Sequence, residues 1–340
     1  MNFDLSEDQQ DIKRTAREFL GARYKLEEVR RLALEEERGF TDAQWDEIAG
    51  LGWPELAVQE SGFGIVELAV VAEELGYSLA PTPLQSTWAA ALLLDAAGEA
   101  ERLADGRRGT LAQWDEDTDG TPDRSSLGDD LRGVKIAVPD AAAADVIVVT
   151  ASEGRHFVVD GADCEITPVE TLDTTRRLYT VTLDGPEAVE LTGDFSRAWH
   201  AIAVMTAAES VGLGQRAMEM AVAYAKDRTQ FERPIGTYQA VSHACAQMLL
   251  EVEGARSAAY WAAWALDHEP ETAPLAAACA NAYAGDAGRR VPRAALQVHG
   301  GIGFTWEHDL HFFLKRAQAN AHSYGDARWH RDELAAALFD

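Results

Sequence analysis

Apolar residues in the first third of the chain recur with the spacing of amphipathic helices. Ser6 and Gln9 stand three residues apart, which is the spacing of an N-terminal capping box. Behind them, Ile12, Ala16 and Leu20 lie on one side of a helix with about 3.6 residues per turn. The pattern therefore predicts a first helix that begins just after Ser6 and buries this apolar face.

Two further amphipathic segments follow in the same part of the chain. Thr41 is a suitable N-cap for a second helix, which Gly50 is expected to end. A third helix is predicted over residues 65–75, with its end at Gly76. Residues 1–105 are accordingly predicted to form a helical domain.

The hydrophobic period changes to that of β-strands in the middle of the chain. Short runs rich in β-branched residues occupy residues 145–150, 156–160 and 179–183, and Gly and Asp turn signals separate them. Residues 108–133 are rich in Asp and Gly and predict exposed turns or a loose loop. We therefore expect a small β-domain over residues 106–192.

Long helical segments return in the last part of the chain. Helical periodicity extends over residues 195–227, 238–268, 272–299 and 307–323, with short connections between them. Long helices with short connections are typical of an up-and-down four-helix bundle. Residues 193–340 are therefore predicted to be such a bundle, and the whole chain to be mainly α-helical with a small β-domain.

The chain carries a strong excess of negative charge. Its 340 residues include 30 Lys and Arg against 57 Asp and Glu, which gives a formal net charge of −27 at pH 7. Such a field repels phosphodiester backbones and anionic lipid headgroups. Nucleic-acid binding and membrane binding are therefore not expected, whereas a few arginines in one cleft can still hold a small anionic ligand.

Cysteines and apolar runs bear on the cellular location. Cys164, Cys245 and Cys279 are widely spaced, a pattern typical of neither a disulfide framework nor a zinc site. The sequence does not open on a basic stretch followed by an apolar run, and no stretch approaches roughly 18 uninterrupted apolar residues. The sequence thus predicts a cytoplasmic protein.

Two segments in the last third carry more information than amphipathicity requires. The first, residues 227–241, reads DRTQFERPIGTYQAV and places Arg228 at a predicted helix end before a Pro-Ile-Gly turn. A guanidinium at such a point can bind a phosphate in a bidentate manner. The alternative is that Arg228 and Gln230 satisfy carbonyl groups at a helix C-terminus. Spacing alone leaves both interpretations open and favours the second.

The second segment, residues 296–316, reads LQVHGGIGFTWEHDLHFFLKR and breaks a helix at Gly300 and Gly301. A pyrophosphate can lie against backbone N–H groups that glycines expose, although paired glycines are more often a plain turn between helices. His308 and His311 share a helix face but lack a third ligand at a diagnostic spacing. A charged helix face is therefore favoured over a metal site.

Other catalytic signatures are missing from the sequence. It contains no G-x-S-x-G nucleophile elbow and no G-x-G-x-x-G after a predicted strand. Nucleophilic hydrolysis and a Rossmann-type dinucleotide site are therefore not supported.

The order of the three predicted domains, together with the two segments, resembles the acyl-CoA dehydrogenase family. The resemblance extends over essentially the whole chain and is nearest to actinobacterial members that carry the sequence HGGIGFTWEHD. Several of those members act on steroid or other bulky acyl side chains as heteromeric pairs of related subunits. The resemblance implies an N-terminal helical domain, a middle β-domain and a C-terminal four-helix bundle.

The resemblance also implies FAD as a cofactor that is shared between subunits. In the family, the first segment reaches across a dimer interface to the adenosine diphosphate half of FAD, and the second contacts the pyrophosphate and adenine side of the same flavin. The matching residues here are Arg228, Gln230 and Phe231, with Tyr238 nearby, and Gln297, Gly300 and Gly301. The chain is therefore expected to complete a flavin site that belongs to a neighbouring subunit.

The main departure from the family concerns the catalytic base. Family enzymes remove the α-hydrogen of an acyl-CoA with a carboxylate while the β-hydride passes to the flavin, so a base must lie within reach of Cα. The family sequence Tyr-Glu-Gly-Thr is replaced here by Tyr-Gly-Asp-Ala at residues 324–327. The second base position known in the family, ten residues before Gly212, holds Ile202. We therefore expect no catalytic residue in this chain.

The middle domain departs from the family as well. The stretch Thr-Glu-Pro-x-x-Gly-Ser-Asp, which shields the flavin ring in the family, is replaced by QWDEDTDG at residues 113–120. The first hypothesis is therefore a non-catalytic subunit of a heterotetrameric, FAD-dependent acyl-CoA dehydrogenase whose base comes from a homologous partner subunit. Its expected substrate is an acyl-CoA, with a steroid side-chain thioester as first choice, and an electron-transfer flavoprotein is a candidate electron acceptor.

Two other hypotheses remain open on the sequence. In one, the chain is a self-sufficient dehydrogenase with Asp326 as an unconventional base, Glu209 being a weaker candidate two turns from the expected position. In the other, it is a structural or interaction subunit without flavin, and the motifs serve helix packing alone.

Overall fold

The structure of the protein is a computed structural model in which residues 4–118, 121 and 125–339 are described. Helices dominate both ends of the chain and strands its middle, so the mainly α-helical class with a small β region is confirmed. The α-helices are α1 Glu7–Arg23, α2 Leu26–Glu35, α3 Asp42–Ala49, α4 Ile65–Ser78, α5 Leu84–Ala96, α6 Ser196–Asp227, α7 Gln239–His268, α8 Ala273–His299, α9 Leu310–Asn320 and α10 Ala327–Phe339. The β-strands are β1 Gly109–Ala112, β2 Trp114–Asp115, β3 Arg132–Pro139, β4 Val146–Thr150, β5 His156–Asp160, β6 Glu165–Val169, β7 Leu178–Asp184, β8 Ala188–Leu191, β9 Thr229–Gln230 and β10 Arg233–Pro234.

The chain divides into two compact units. The first comprises Met1–Arg30, Ala69–Ala80 and Ala203–Asp340, and the second comprises Arg31–Leu68 and Pro81–Ile202. Both segments singled out from the sequence therefore belong to the first unit. None of the helices in the described ranges combines the length and the apolar character needed to cross a bilayer.

Helices α7 to α10 and the part of α6 from Ala203 onward form the core of the first unit. Within it α8 is central, because it packs against α7, α9 and α10. Its buried face consists largely of small side chains, among them Ala276, Ala280, Ala284 and Ala287, each at most 2% exposed. Small side chains at a contact allow neighbouring helix axes to approach closely.

Gly76 does not end a helix, which corrects the prediction made from the sequence. Helix α4 continues through Gly76 to Ser78. A Cβ atom at Gly76 would lie 2.1 Å from the carbonyl oxygen of Glu209 on α6, and one at Gly212 would lie 1.9 Å from that of Glu73 on α4. The two glycines therefore let the backbones of α4 and α6 touch, a requirement that looks the same in the sequence as a stop signal.

The last predicted helix is shorter than expected, and a further helix follows it. The sequence predicted a helix over residues 307–323, whereas α9 is confined to Leu310–Asn320. Tyr324 and Gly325 have positive φ angles of 56° and 99°, which are incompatible with a right-handed helix. The chain then begins α10 at Ala327, where the sequence predicted no element.

Two four-stranded sheets form the β region of the second unit. One has the strand order β1-β4-β5-β8 and the other the order β2-β3-β7-β6. Strand β1 pairs with β4 in parallel, and the other pairs in these sheets are antiparallel. Inward-facing aliphatic side chains of both sheets form one common core, with Ile147 from the first and Val181 from the second both fully buried.

The segment predicted as exposed turns or a loose loop, residues 108–133, contains strands at both ends, so the prediction is wrong there, whereas residues 116–118 and 125–131 form turns and irregular chain. Strands β1 and β2 lie within it, and β3 begins near its end. All four residues of β1 are buried, which stabilises its pairing with β4. The abundant Asp and Gly of the segment concealed these short strands. Residues 119–120 and 122–124 of the segment lie outside the described residues.

His156 on β5 is buried beside two aromatic side chains of the second unit. Its ring meets that of Phe195 edge-on at 4.7 Å, and Trp199 Nε1 donates to its Nε2 at 3.4 Å. Because Nε2 accepts, the neutral ring carries its proton on Nδ1, which lies 3.4 Å from Thr150 Oγ1. Burial, and secondarily the positive charge of Lys135, lower the pKa of His156 to about 4.

Acid is expected to destabilise the protein through His156. In the unfolded chain His156 is protonated below about pH 6.5, whereas in the folded protein it is protonated only below about pH 4. Between these pH values the unfolded state binds more protons, so the free energy of unfolding falls as the pH falls. The slope from this one group is at most about 1.4 kcal/mol per pH unit. His156→Phe should remove this part of the slope in denaturant unfolding between these pH values. The exposed His243→Phe is the control, and equal slopes for wild type and His156→Phe would refute the assignment.

Candidate functional site

The first segment singled out from the sequence forms a tight hairpin after α6. Strands β9 and β10 are antiparallel, with Arg233 opposite Gln230. Phe231 and Glu232 make the turn, with positive φ angles of 52° and 67°. Two positive φ angles are the signature of a type I′ turn, which favours Asn and Gly, so these larger residues are held in a strained conformation. At the tip, the Phe231 side chain is 87% exposed.

Contacts within the segment hold the hairpin in place. The backbone N–H of Ile235 donates to the carbonyl oxygen of Arg228 at 2.8 Å. The Tyr238 hydroxyl donates to the Gln230 carbonyl at 3.3 Å, and the guanidinium carbon of Arg233 lies 4.1 Å from the centre of the Tyr238 ring. Tyr238 therefore contacts both strands of the hairpin.

Arg228 lies at the junction between α6 and the hairpin, with an exposed side chain. Its backbone N–H donates to the Tyr224 carbonyl at 2.8 Å and completes the last helical turn. Within the described part of the chain, its guanidinium pairs with neither a carboxylate nor a carbonyl group. Gln230 differs, because its Nε2 donates to the Thr229 carbonyl at 2.8 Å. The Arg228 side chain is thus available to an anion.

The second segment ends α8 and continues as a short 3-10 turn over Gly300–Phe304. Gly300 has a φ of 62° and a ψ of −139°, a conformation that residues with a Cβ rarely adopt. Apart from the adjoining residues, no described atom lies within 4 Å of the position a Cβ would take at Gly300 or Gly301. Gln297, one turn earlier, is exposed. An anion can therefore approach this backbone closely.

Three aromatic rings, which we call the ring cluster, connect the two segments. Tyr224 on α6 stacks on His299, the last residue of α8, with ring centroids 4.6 Å apart and an angle of 23°. His308 lies against the same histidine, with centroids 4.5 Å apart. The structure thus brings together the ends of the two helices that lead into Arg228 and Gly300. Sequence reasoning missed this contact, because no periodicity or motif links Tyr224 to His299.

Of the two family positions of the base, one holds Ile202 and the other holds Gly325, which Asp326 follows. Ile202 is apolar and fully buried in the second unit. In the first unit, Asp326 Oδ1 accepts from the backbone N–H of Arg328 at 3.0 Å and from that of Trp329 at 2.9 Å. Asp326 is thus the N-cap of α10.

Glu209, the weaker candidate, is part of a buried ion pair. It is 1% exposed, and its Oε1 accepts from Arg316 Nη1 at 2.7 Å. Its Oε2 accepts from Asn320 Nδ2 at 2.6 Å. Both oxygens are engaged with α9, so the carboxylate stabilises the bundle.

Two residues of the stretch that replaces the flavin-shielding sequence, Gln113 and Asp115, are buried in the second unit, whereas residues 119–120 of that stretch lie outside the described residues. Lys135 is fully buried, and its Nζ donates to the Gln113 carbonyl at 3.1 Å, to Ser125 Oγ at 3.0 Å and to Asp115. Burial acts to raise the pKa of Asp115, but hydrogen bonds from Lys135 and from the backbone of Ser126 outweigh it and lower the pKa. Gln113 and Asp115 therefore satisfy a buried lysine.

His308 and His311, for which a charged helix face was expected, are both partly buried, and His308 lies before α9 and not within it. His311 packs at 4.5 Å against the Trp306 ring, and burial, with the positive charge of Lys315, lowers its pKa to about 4. Asp309 pairs with Arg30 at 2.6 Å. Among residues 4–118, 121 and 125–339, no three His, Cys, Asp or Glu side chains are grouped as metal ligands.

Comparison with known families identifies both ends of the chain. Residues 197–339 match the C-terminal domain of acyl-CoA dehydrogenases, and residues 6–103 match their N-terminal domain. The acyl-CoA dehydrogenase IpdE2 of Mycolicibacterium smegmatis is 31% identical over 344 residues, which cover 98% of this chain and 100% of that protein.

Solved structures agree with these matches. Tcur3481-Tcur3483, described as a steroid ACAD (acyl-CoA dehydrogenase), superposes with a TM-score of 0.88 at 27% identity, covering 97% of both chains. The ChsE4-ChsE5 complex from Mycobacterium tuberculosis has a TM-score of 0.87 at 26% identity, covering 100% of both chains. The fold expected from the resemblance is confirmed, and the chain belongs to the acyl-CoA dehydrogenase family.

Proposed function

We propose that this chain is a non-catalytic subunit of a heterotetrameric, FAD-dependent acyl-CoA dehydrogenase, in which a homologous partner subunit supplies the base. The residues at the base positions carry the proposal, because Ile202 is apolar and buried, Gly325 has no side chain, and the neighbouring Asp326 is held as a helix cap. Removal of an α-proton requires a carboxylate within hydrogen-bond reach of Cα. The hairpin keeps the Arg228 guanidinium exposed. The turn over Gly300–Phe304, which we call the glycine turn, keeps a backbone that no Cβ atom shields at Gly300 and Gly301.

The exposed groups of the two segments fit the adenosine diphosphate half of FAD. Arg228 offers a guanidinium that can bind two phosphate oxygens together. At Gly300 and Gly301 no Cβ atom shields the backbone, although the N–H of Gly300 itself donates to the carbonyl groups of Leu296 and Gln297. The proposed cofactor-binding set is Arg228, Gln230, Phe231, Tyr238, Gln297, Gly300 and Gly301. Bound FAD supplies the hydride acceptor of the reaction, whereas these residues bind and orient its nucleotide half.

The proposed reaction is the α,β-dehydrogenation of an acyl-CoA thioester. In this reaction a carboxylate of the partner subunit would take the α-proton and bound FAD would supply the acceptor for the β-hydride, which would leave a double bond between Cα and Cβ. A steroid side-chain thioester is the proposed substrate, supported by the description of Tcur3481-Tcur3483 as a steroid ACAD. The ChsE4-ChsE5 complex, which pairs two named proteins, supports a heteromeric assembly. An electron-transfer flavoprotein is the proposed electron acceptor.

Three family domains are proposed for the chain. They extend over residues 1–105, 106–192 and 193–340, as the hydrophobic periodicity predicts. The family matches over residues 6–103 and 197–339 support the first and the last of them.

Arg228→Ala in the heteromeric complex is expected to weaken FAD binding by about 10- to 100-fold. Hydrogen bonds to a charged group contribute roughly 1.5–3 kcal/mol, and each 1.4 kcal/mol is about a tenfold change in affinity. The dissociation constant is measured by quenching of flavin fluorescence when FAD is added back to the apo-complex. Arg14→Ala is the control, because Arg14 is an exposed arginine of α1 that pairs with Asp11. Equal FAD affinity of wild type and Arg228→Ala would refute the cross-subunit site.

A further inference from the structure

Each histidine of the ring cluster is held in one orientation by a backbone hydrogen bond. His299 Nδ1 lies 2.8 Å from the Ala295 carbonyl oxygen, which can only accept, so Nδ1 carries the proton and donates it. The backbone N–H of Leu310 donates to His308 Nδ1 at 3.2 Å, so that nitrogen is unprotonated. His299 is 4% exposed, which leaves its ring little freedom.

The ring cluster joins the helix ends from which the proposed cofactor-binding groups extend. The Tyr224 carbonyl accepts the backbone N–H of Arg228, and His299 directly precedes Gly300. His308 stands two residues before Leu310, the first residue of α9. The stack of Tyr224 on His299 therefore lies between the helix ends that lead into Arg228 and Gly300.

The glycine turn lies directly on His299. A Cβ atom at Gly303 would lie 3.0 Å from the Cβ of His299 and 3.0 Å from the carbonyl oxygen of Leu296. The turn that contains Gly300 and Gly301 can therefore not move toward α8 without displacing the histidine. The turn therefore packs on the base of the His299 side chain, whose ring extends from there to Tyr224.

We propose that His299 is a positioning residue for FAD: through its stack with Tyr224 it sets the separation between the Arg228 guanidinium and the unshielded backbone of the turn at Gly300 and Gly301. Groups on two helices bind one pyrophosphate together only if their spacing matches it to within a fraction of an ångström. This inference rests on the proposed function, because it takes FAD as the ligand of both segments.

The neutral state of both histidines agrees with this role. Burial lowers the pKa of His299, against the hydrogen bond to Ala295. Burial also lowers the pKa of His308, with a smaller contribution from His299 and an opposing one from Asp309. Two neutral rings can lie in contact at pH 7, whereas two cations would repel each other.

The test measures FAD affinity of the complex formed with a co-expressed, base-carrying homologue. His299→Ala is expected to raise the FAD dissociation constant about tenfold, and Tyr224→Leu, which removes the other half of the stack, is expected to do the same. His299→Phe keeps a planar ring on Tyr224 and should stay within about threefold of wild type. Val291→Ala is the matched control, because Val291 is buried in α8 two turns earlier, so it should lower the melting temperature without changing the dissociation constant.

A double-mutant cycle separates positioning from general loss of stability. If His299 acts by placing Arg228 and the glycine turn relative to each other, His299→Ala should have a much smaller effect on FAD affinity in the Arg228→Ala background. Fully additive effects, or wild-type affinity in both His299→Ala and Tyr224→Leu, would overturn the inference alone. A wild-type complex that binds no FAD would overturn the proposed function instead.

Discussion

Acyl-CoA added to the isolated chain in the presence of FAD is expected to cause no bleaching of the flavin absorbance. The complex with a base-carrying homologue should bleach it rapidly. Loss of a general base costs about 10²- to 10⁴-fold in rate, so the isolated chain should be at least this much slower. We expect no flavin reduction by the isolated chain because the Ile202 side chain cannot accept a proton and the Asp326 carboxylate caps the first turn of α10. Stopped-flow absorbance with a steroid side-chain CoA thioester measures both rates.

Asp326→Asn distinguishes a helix cap from an unconventional base. Asn is as good an N-cap as Asp, so the variant should fold normally and keep α10 in place. In the complex, its rate of flavin reduction should equal that of wild type within about twofold, because no proton is expected to pass to Asp326. The matched positive control replaces the catalytic Glu of the partner subunit with Gln and should abolish bleaching.

The opposite results would support a self-sufficient enzyme. A yellow homomer of this chain that is reduced by substrate would contradict the proposed division of labour, and loss of bleaching in Asp326→Asn would identify that residue as the base. A colourless complex that nonetheless assembles would favour a flavin-free structural subunit.

Glu209→Gln is expected to lower the free energy of unfolding by about 3 kcal/mol or more, because it removes the carboxylate that pairs with buried Arg316.

Gly212→Ala is expected to lower the free energy of unfolding by about 3 kcal/mol or more. Its new Cβ atom would lie 1.9 Å from the carbonyl oxygen of Glu73 and 2.6 Å from the backbone nitrogen of Tyr77. Both obstacles are backbone atoms of α4, which cannot rotate away as a side chain can. Overpacking of this kind commonly costs about 1–3 kcal/mol, and here a whole helix must shift. Urea denaturation followed by circular dichroism measures the loss.

Gly214→Ala is the matched control on the same helix. The nearest atoms to its Cβ would be side-chain atoms of Val252 at 3.3 Å and Val291 at 3.8 Å, which can adjust. Removing a glycine from a helix interior gains about 1 kcal/mol in helix propensity, so the net change should stay within about 1 kcal/mol. Equal stabilities of the two variants would contradict the close crossing of α4 and α6.

Helix ends were predicted well where the signal is local. The capping box at Ser6 and the helix start at Thr41 are confirmed, and the structure adds a capping box between Thr41 and Gln44. The segment predicted over residues 195–227 is α6, Ser196–Asp227. Caps and hydrophobic periodicity act between residues fewer than about eight positions apart, so they can be recognised without knowledge of the fold.

Elements that depend on distant partners were missed. Strand β1 is held by its parallel pairing with β4, and the Asp and Gly residues around it are more typical of loops. Helix α10 was not predicted, although Asp326 caps it, because the same residues were compared with the family's base-bearing loop. Helix α10 is short and has little apolar periodicity, with Ala327 and His330 as its buried residues.

In the candidate site too, residues with a local signal were predicted and contacts between distant residues were missed. The sequence indicated Arg228, Gly300 and Gly301, because arginine and paired glycines have chemical properties that do not depend on the fold. It did not indicate His299, whose contact with Tyr224 exists only after α6 and α8 are packed. The strained turn at the hairpin tip was equally invisible, because Phe231 and Glu232 are not residues that favour positive φ.

The sequence by itself determined the helical class, the two candidate cofactor-binding segments and the absence of a carboxylate at residues 202 and 325. Only the tertiary structure decided that Gly76 serves a helix crossing, that Asp326 and Glu209 are engaged in structural contacts, and that a histidine joins the two segments. The physical reason is the separation along the chain of the residues involved. Residue chemistry and helical periodicity are properties of short stretches, whereas close packing and buried hydrogen bonds depend on distant residues that folding brings together.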